Sequence, residues 1–258
     1  MSLIVNYMSM HLRVRLQYKI SFIFTIVAQA LIVSLELFVL KSMFTKFKLL
    51  DEYNINEMYL NFSVIWLSFS TAQMLGRGFD KFSDLIRNGN FDLLLIRPRN
   101  IFLQIIGSDI YYEKSSRIVS TLILFIYSSI KVLDGFDLSK VFLLILMLFG
   151  SFIVLISIFI VGAGISFFTI QGLELINIFS DGTKQLAQYP MGIYNKIVRI
   201  IFTVIIPITL INYYPIEYLT GRTHNILYIF LPLISCLSII PAILFFKFGL
   251  KKYKSSGS

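Results

Sequence analysis

Few side chains in this sequence have a type and spacing that could do chemistry. His11 and His224 flank different hydrophobic blocks and fit no zinc pattern. The single Cys236 lies within an apolar block, which excludes a disulfide framework and a multi-cysteine metal site. No G-x-x-x-x-G-K-S/T loop is present to cradle phosphates, and no G-x-S-x-G elbow to raise a nucleophile. Gly162-Ala163-Gly164 falls inside a hydrophobic block, where small residues mark close helix packing. That leaves Glu36, the one carboxylate inside an apolar stretch. A charge in hydrocarbon costs several kcal/mol, so such a group is a functional candidate. It stands roughly 24 Å along its helix at about 1.5 Å per residue. That depth favours snorkelling to the outer surface or pairing with Lys41; the alternative is a polar spot on a translocation path. The residues describe a chain that is not an enzyme and holds no cofactor or metal of its own.

The elements around these residues are membrane spans. Of all residues 57% are hydrophobic and 14% charged, against about 25% charged in soluble domains. Val141 to Leu173, Thr223 to Phe246 and Met58 to Gly76 contain no charged side chain, and about 20 helical residues cross a bilayer core. The pattern predicts six helical spans at 20–44, 57–76, 115–134, 140–168, 197–213 and 225–247, all within a single transmembrane domain over 1–254. Arg117 and Lys131 must snorkel from the ends of the third. Val5, Met8, Leu12 and Leu16 share one helical face and His11, Arg15 and Lys19 another, which predicts an amphipathic interfacial helix ahead of the first span. No small-residue cleavage pattern follows the first span, so it reads as retained. The tail Ser255-Ser256-Gly257-Ser258 resembles an engineered linker.

Lysine and arginine set the orientation. With the N-terminus inside, 17 of them fall on the cytoplasmic side and 6 outside, the latter being Lys41, Lys46, Lys48, Lys131, Lys140 and Arg222. Both termini are therefore expected in the cytoplasm of a multi-pass cytoplasmic-membrane protein. Asp51, Glu52, Glu57, Asp134, Asp137 and Glu217 neutralise the outer loops. Anionic inner-leaflet lipid accounts for much of the basic excess without nucleic acid as a partner.

The longest polar stretch, 77–114, is patterned. Phe79, Phe82 and Ile86 recur at i, i+3 and i+7, with Asp80, Lys81, Asp84 and Arg87 on other faces, as in an amphipathic helix. Gly89 suits a left-handed stop. Asn90 or Asp92 can cap a second short helix through Leu93 to Ile96, including Leu95, and Arg97-Pro98 ends it. Two short helices broken at fixed points make a knob. It is either an interfacial element on the inner leaflet or a docking lever for a soluble partner, the reading its stiffness favours. A second cytoplasmic contact is expected over 174–196, where Asp181-Gly182-Thr183-Lys184 marks a turn and Tyr189-Pro190 a break.

This organisation resembles the permeases of ABC-2-type exporters, with an N-terminal interfacial helix, six spans, both ends inside and a coupling helix between spans two and three. Gly89 to Pro98 looks like that family's glycine, aspartate, leucine run with its Arg-Pro stretch. Tyr189-Pro190, Ile193-Tyr194, Ile206-Pro207 and Tyr214-Pro215 look like its later motifs, in a branch that pairs two different permeases with a separate ATPase. The resemblance implies that the Arg77–Arg99 region docks on two ATPase domains, which carry the ATP and magnesium. It also implies that the Tyr213–Arg222 stretch, including Glu217, is an outward re-entrant segment. Pro207, Pro215 and Gly221 interrupt an apolar run there, and broken helices at membrane depth are tolerated only inside protein or along a cavity. A plain outer loop after a kinked span is the alternative.

An ion-coupled secondary transporter would need several buried ionisable groups, and an integral-membrane enzyme would need a nucleophile, an acid–base pair or a metal cluster. Neither set is present. With 16% aromatic residues, a drug-like, peptide or lipid-like cargo is the expectation.

Overall fold

The computed structural model describes residues 2–46, 53–133, 135, 137–169 and 172–254. The tail 255–258 and the loop charges Lys48, Asp51, Glu52 and Asp134 lie outside the described residues. Helix α1 (Ser2–Gln17) breaks at Tyr18 into α2 (Lys19–Lys46). We call the end of the bundle that bears α1 basal and the opposite end distal.

Among the described residues four helices are long and apolar enough to cross a membrane: Lys19–Phe44, Tyr112–Val132, Leu138–Ile165 and Leu231–Lys252. Helix α3 (Ile55–Leu75) has span length but stands at the centre, with Met58, Trp66 and Phe69 fully buried. Its start is sealed by a capping box. The Asn54 side chain accepts from the Glu57 N–H, and Glu57 accepts from the Asn54 N–H at 3.1 Å. Helices α8 (Ser115–Val132) and α9 (Leu138–Ile165) pack on α3. The last span joins α13 (Leu231–Ser235), a 3₁₀ turn (Cys236–Ser238) and α14 (Ile239–Lys252). It lies along α9 at close range because glycines remove side chains from the contact: a Cβ on Gly150 would meet the Pro232 carbonyl at 2.8 Å, and one on Gly164 the Phe245 ring at 2.7 Å.

The region before that last span departs from expectation. The span expected over 197–213 is not a continuous helix. Helix α11 (Lys196–Ile200) runs into a π-helical turn (Ile201–Ile205), the chain turns through 206–212, and α12 (Tyr213–Leu219) follows. Pro207 is the cause. It has no N–H to continue the ladder, and Ile206 before it takes φ −117°, ψ 88°. The freed Phe202 carbonyl accepts instead from the Thr209 hydroxyl at 2.7 Å and N–H at 3.0 Å.

A longer helix stands one segment earlier. Residues expected as a cytoplasmic loop form α10 (Gly172–Ala187), which packs on α9 and α3. No turn occurs at Asp181-Gly182-Thr183-Lys184. Ser180, Thr183 and Ala187 recur at i, i+3 and i+7 and are buried, and these small side chains let α10 settle into the bundle. The break at Tyr189-Pro190 is present: the helix ends at Ala187.

Candidate coupling surface and the buried cations behind it

The knob is a chain of short helices at the basal end: α4 (Arg77–Asp80), α5 (Phe82–Arg87), α6 (Asn90–Leu95) and α7 (Ile101–Ser108). The single amphipathic helix expected over Phe79, Phe82 and Ile86 is broken at Lys81 (φ −98°, ψ 21°). The break turns the rings of Phe79 and Phe82 inward, and Phe91 on α6 joins them in full burial. Phe82 meets Phe91 edge-on at 4.8 Å and Phe246 at 5.4 Å; Phe79 meets Phe246 at 6.0 Å, and Phe91 meets Tyr253 at 5.2 Å. Edge-to-face pairs at such distances add roughly 0.5–1.5 kcal/mol each beyond burial. The knob is thus fastened by aromatic contact to α14 and, through Phe167 at 5.1 Å from Phe82, to the turn that follows α9.

Gly89 takes φ 68°, as its place after α5 requires. Neither Asn90 nor Asp92 caps α6 through its side chain. Gly89 is the N-cap, and Asp92 accepts from the Tyr253 hydroxyl at 3.0 Å. Helix α6 ends at Leu95, just ahead of Arg97-Pro98. Asn100 then caps α7, accepting from the Phe102 N–H at 2.9 Å, and Gln104 Nε2 donates to the carbonyls of Leu94 and Arg99, both at 3.1 Å. Asp80 is buried and bonded to Arg77; burial holds its carboxyl above the usual carboxylate range while Arg77 pulls the other way. Helix α1 rests on this assembly: His11 Nε2 lies 3.0 Å from the Gly107 carbonyl, and Arg15 pairs with Glu113 at 3.1 Å.

Phe79 and Phe82, expected among the docking residues, therefore form the mount and are not offered to a partner. Ile86 is half-buried against the same aromatic cluster. Facing outward are Arg87, Leu95, Arg97 and Pro98, joined by Leu93, Ile96 (78% exposed) and Arg99. Asp84 pairs with Arg87 at 2.9 Å. Exposed aliphatic side chains ringed by arginine are the composition of a protein-binding surface. The sequence held a signal for Leu93 and Ile96, since four consecutive apolar residues suit no solvated loop. Asn100, a good cap just before Ile101 and Phe102, was legible too.

The other expected sites separate. Lys184 is buried, with its Nζ 4.4 Å from the centre of the Trp66 ring and 3.6 Å from Asp181. Arg117 is buried against the same ring at 5.1 Å and does not snorkel. Trp66 Nε1 donates to Gln188 at 2.8 Å. One indole thus holds two cations inside the bundle, a use of the ring face that desolvation strengthens. Nothing in the sequence singled out Trp66 for it. Pro190 is buried and Tyr189 half-buried, so the expected second contact offers little surface beyond Asp181. Glu36 does not reach Lys41; its Oε1 lies 3.4 Å from Gln185 Nε2 on α10, across from the two buried cations.

Towards the distal end, Asn61 and Asn212 both donate to the Ala187 carbonyl, at 3.1 and 2.8 Å, closing the end of α10. Tyr213 stacks edge-on with Tyr214, and Tyr214 with Tyr228, at 5.3 and 5.2 Å. Pro215 is buried and Glu217 half-buried. Arg222 pairs with Glu57 at 2.6 Å and ties the loop after α12 to the start of α3.

A family model described as ABC-2 family transporter protein matches residues 30–257. The chain belongs to the ABC-2 transporter family. No curated protein and no solved structure gave a significant match. Membership makes the chain a multi-span, permease-like membrane protein of a kind that is non-catalytic and typically works with ATPase subunits. Among the described residues no three of His, Cys, Asp and Glu gather as a metal site. The match begins within α2, runs through α14 and leaves α1 outside it, so the ABC-2 region includes the knob, its mount and the broken segment after α10.

Proposed function

We propose that the chain is one permease half of an ATP-driven exporter, and that a separate ATPase docks on the α5–α6 tip. The observation that carries this is the exposed Leu95-Ile96-Arg97 tip held on a buried aromatic mount. A loop would absorb a push from closing ATPase domains; close-packed rings against α9 and α14 pass it into the bundle. The six spans are then α2, α3, α8, α9, α10 and α13–α14, with α1 interfacial and a second, different permease completing the path.

The basal end is cytoplasmic in this reading. With α10 as a span, 14 lysines and arginines lie on the basal side and 8 on the distal side, with Lys184 between, which keeps the bias expected of inner-leaflet loops. Residues 196–219, two short arms around Pro207, form the outward re-entrant segment in place of the Tyr213–Arg222 stretch alone. The cargo is an apolar or amphipathic molecule leaving the cytoplasm, with Glu36 and Gln185 as a polar spot beside its route.

The test is co-purification with the ATPase and the second permease, followed by transport in vesicles. Ile96→Asp and Arg97→Glu should each weaken ATPase retention at least about tenfold, roughly 1.4 kcal/mol, with the melting temperature unchanged because both side chains are exposed. Full retention in both variants, or transport driven by a proton gradient without ATP, sinks the proposal.

A further inference from the structure

A cavity of about 680 Å³ opens between α9, α14 and the π-helical turn at Ile201–Ile205. Its walls are apolar apart from a few hydroxyls, with Ser157 Oγ and Ser238 Oγ 3.4 Å apart. The wider π turn and the stop at Pro207 hold the backbone away from α9 here, so the space is built by the chain's own break. The rim is lateral and apolar: Val204 is 73% and Ile205 72% exposed. The volume is that of an ordinary ligand site.

Thr203 and Val204 also line a second recess of about 500 Å³, which reaches Lys196, Arg199 and Tyr214. The Arg199 Nε is buried without a hydrogen-bond partner, while Nη2 donates to the Gly192 carbonyl at 3.1 Å. No ion pair among the described residues uses Lys196 or Arg199. Two cations without an ion pair, Arg199 and Lys196, thus stand about one and two helical turns from the mouth of an apolar cavity that opens sideways.

We propose that this groove binds an anionic phospholipid of the surrounding bilayer, with an acyl chain in the cavity and the phosphate on Lys196 and Arg199. A wholly apolar occupant would leave the cations unused, and a water-soluble anion would leave the cavity unused. The sideways rim favours a molecule already in the membrane plane. The site is separate from the coupling tip and does not rest on it.

The test is native mass spectrometry of the full chain with whatever subunits accompany it, titrated with dioleoyl phosphatidylglycerol or dioleoyl phosphatidylcholine. The expected result is a preference for phosphatidylglycerol of about tenfold or more. Lys196→Gln with Arg199→Gln should bring that preference near unity, and Arg199→Lys should keep it. Ser238→Phe, which fills the cavity from one wall, should lower retention of both lipids. Equal retention of the two lipids by the unaltered protein overturns the proposal, as does a preference that survives the double glutamine variant. In a Cys236→Ser background, efficient cross-linking of Val204→Cys to a second permease would show that protein covers the groove, and that also overturns it.

Discussion

A methyl group at residue 78 would have no room: an ideal Cβ there lies 1.8 Å from the Ile105 carbonyl oxygen, where α4 crosses α7. Gly78→Ala should therefore destabilise by about 1–3 kcal/mol through overpacking. Gly89→Ala meets nothing within 4 Å and should cost about 1 kcal/mol through its left-handed φ alone. Thermal melting of the two variants checks the order. Asp80 makes a pH prediction. Burial raises its folded pKa above the ordinary value, so the folded state holds the proton more tightly than the unfolded one. Its contribution is most favourable below the ordinary carboxylate value and is lost as pH rises through the raised value. Hydrogen exchange across α4–α6, corrected for intrinsic rates, should slow as the pH falls from neutral, and Asp80→Asn should remove that dependence.

At the scale of elements, mount and tip should fail differently. Phe82 is fully buried among aromatic rings, so Phe82→Ala opens a cavity worth about 3–5 kcal/mol. The knob should then loosen from α14. ATP hydrolysis by the bound ATPase should continue while transport in vesicles falls. Arg97→Ala leaves the packing untouched and should reduce ATPase retention without a change in melting. Equal loss of stability in both variants would mean that the tip is not the free surface described. Much of this element was legible. The glycine stop, the Arg-Pro end and the break at Tyr189-Pro190 follow from backbone sterics that act locally. The inward turn of Phe79 and Phe82 was not, because a three-four spacing tells that residues share a face and not what the face meets.

For the whole molecule, the placement of α10 decides the topology after α9. In a Cys236→Ser background, a membrane-impermeant maleimide applied from outside should label Ile193→Cys and His224→Cys, both exposed in the structure. Asn88→Cys should be labelled only after the membrane is opened. Labelling of Ile193→Cys from the cytoplasmic side alone would return the span to 197–213 and refute the topology proposed with α10 as the fifth span.

Composition and block length by themselves determined that this is an α-helical membrane protein, because hydrocarbon admits few charges and demands about 20 apolar residues per crossing. Short-range order gave the knob its stops and caps. Only the tertiary structure decided that α10, with its lysine, glutamine and serine, sets one face into the bundle while the more apolar 197–213 is broken. A helix face set into a bundle answers to its neighbours. Trp66, Asp181 and the Glu36–Gln185 contact offset a polarity that hydropathy counts as exposed, whereas Pro207 ends a helix however apolar its flanks.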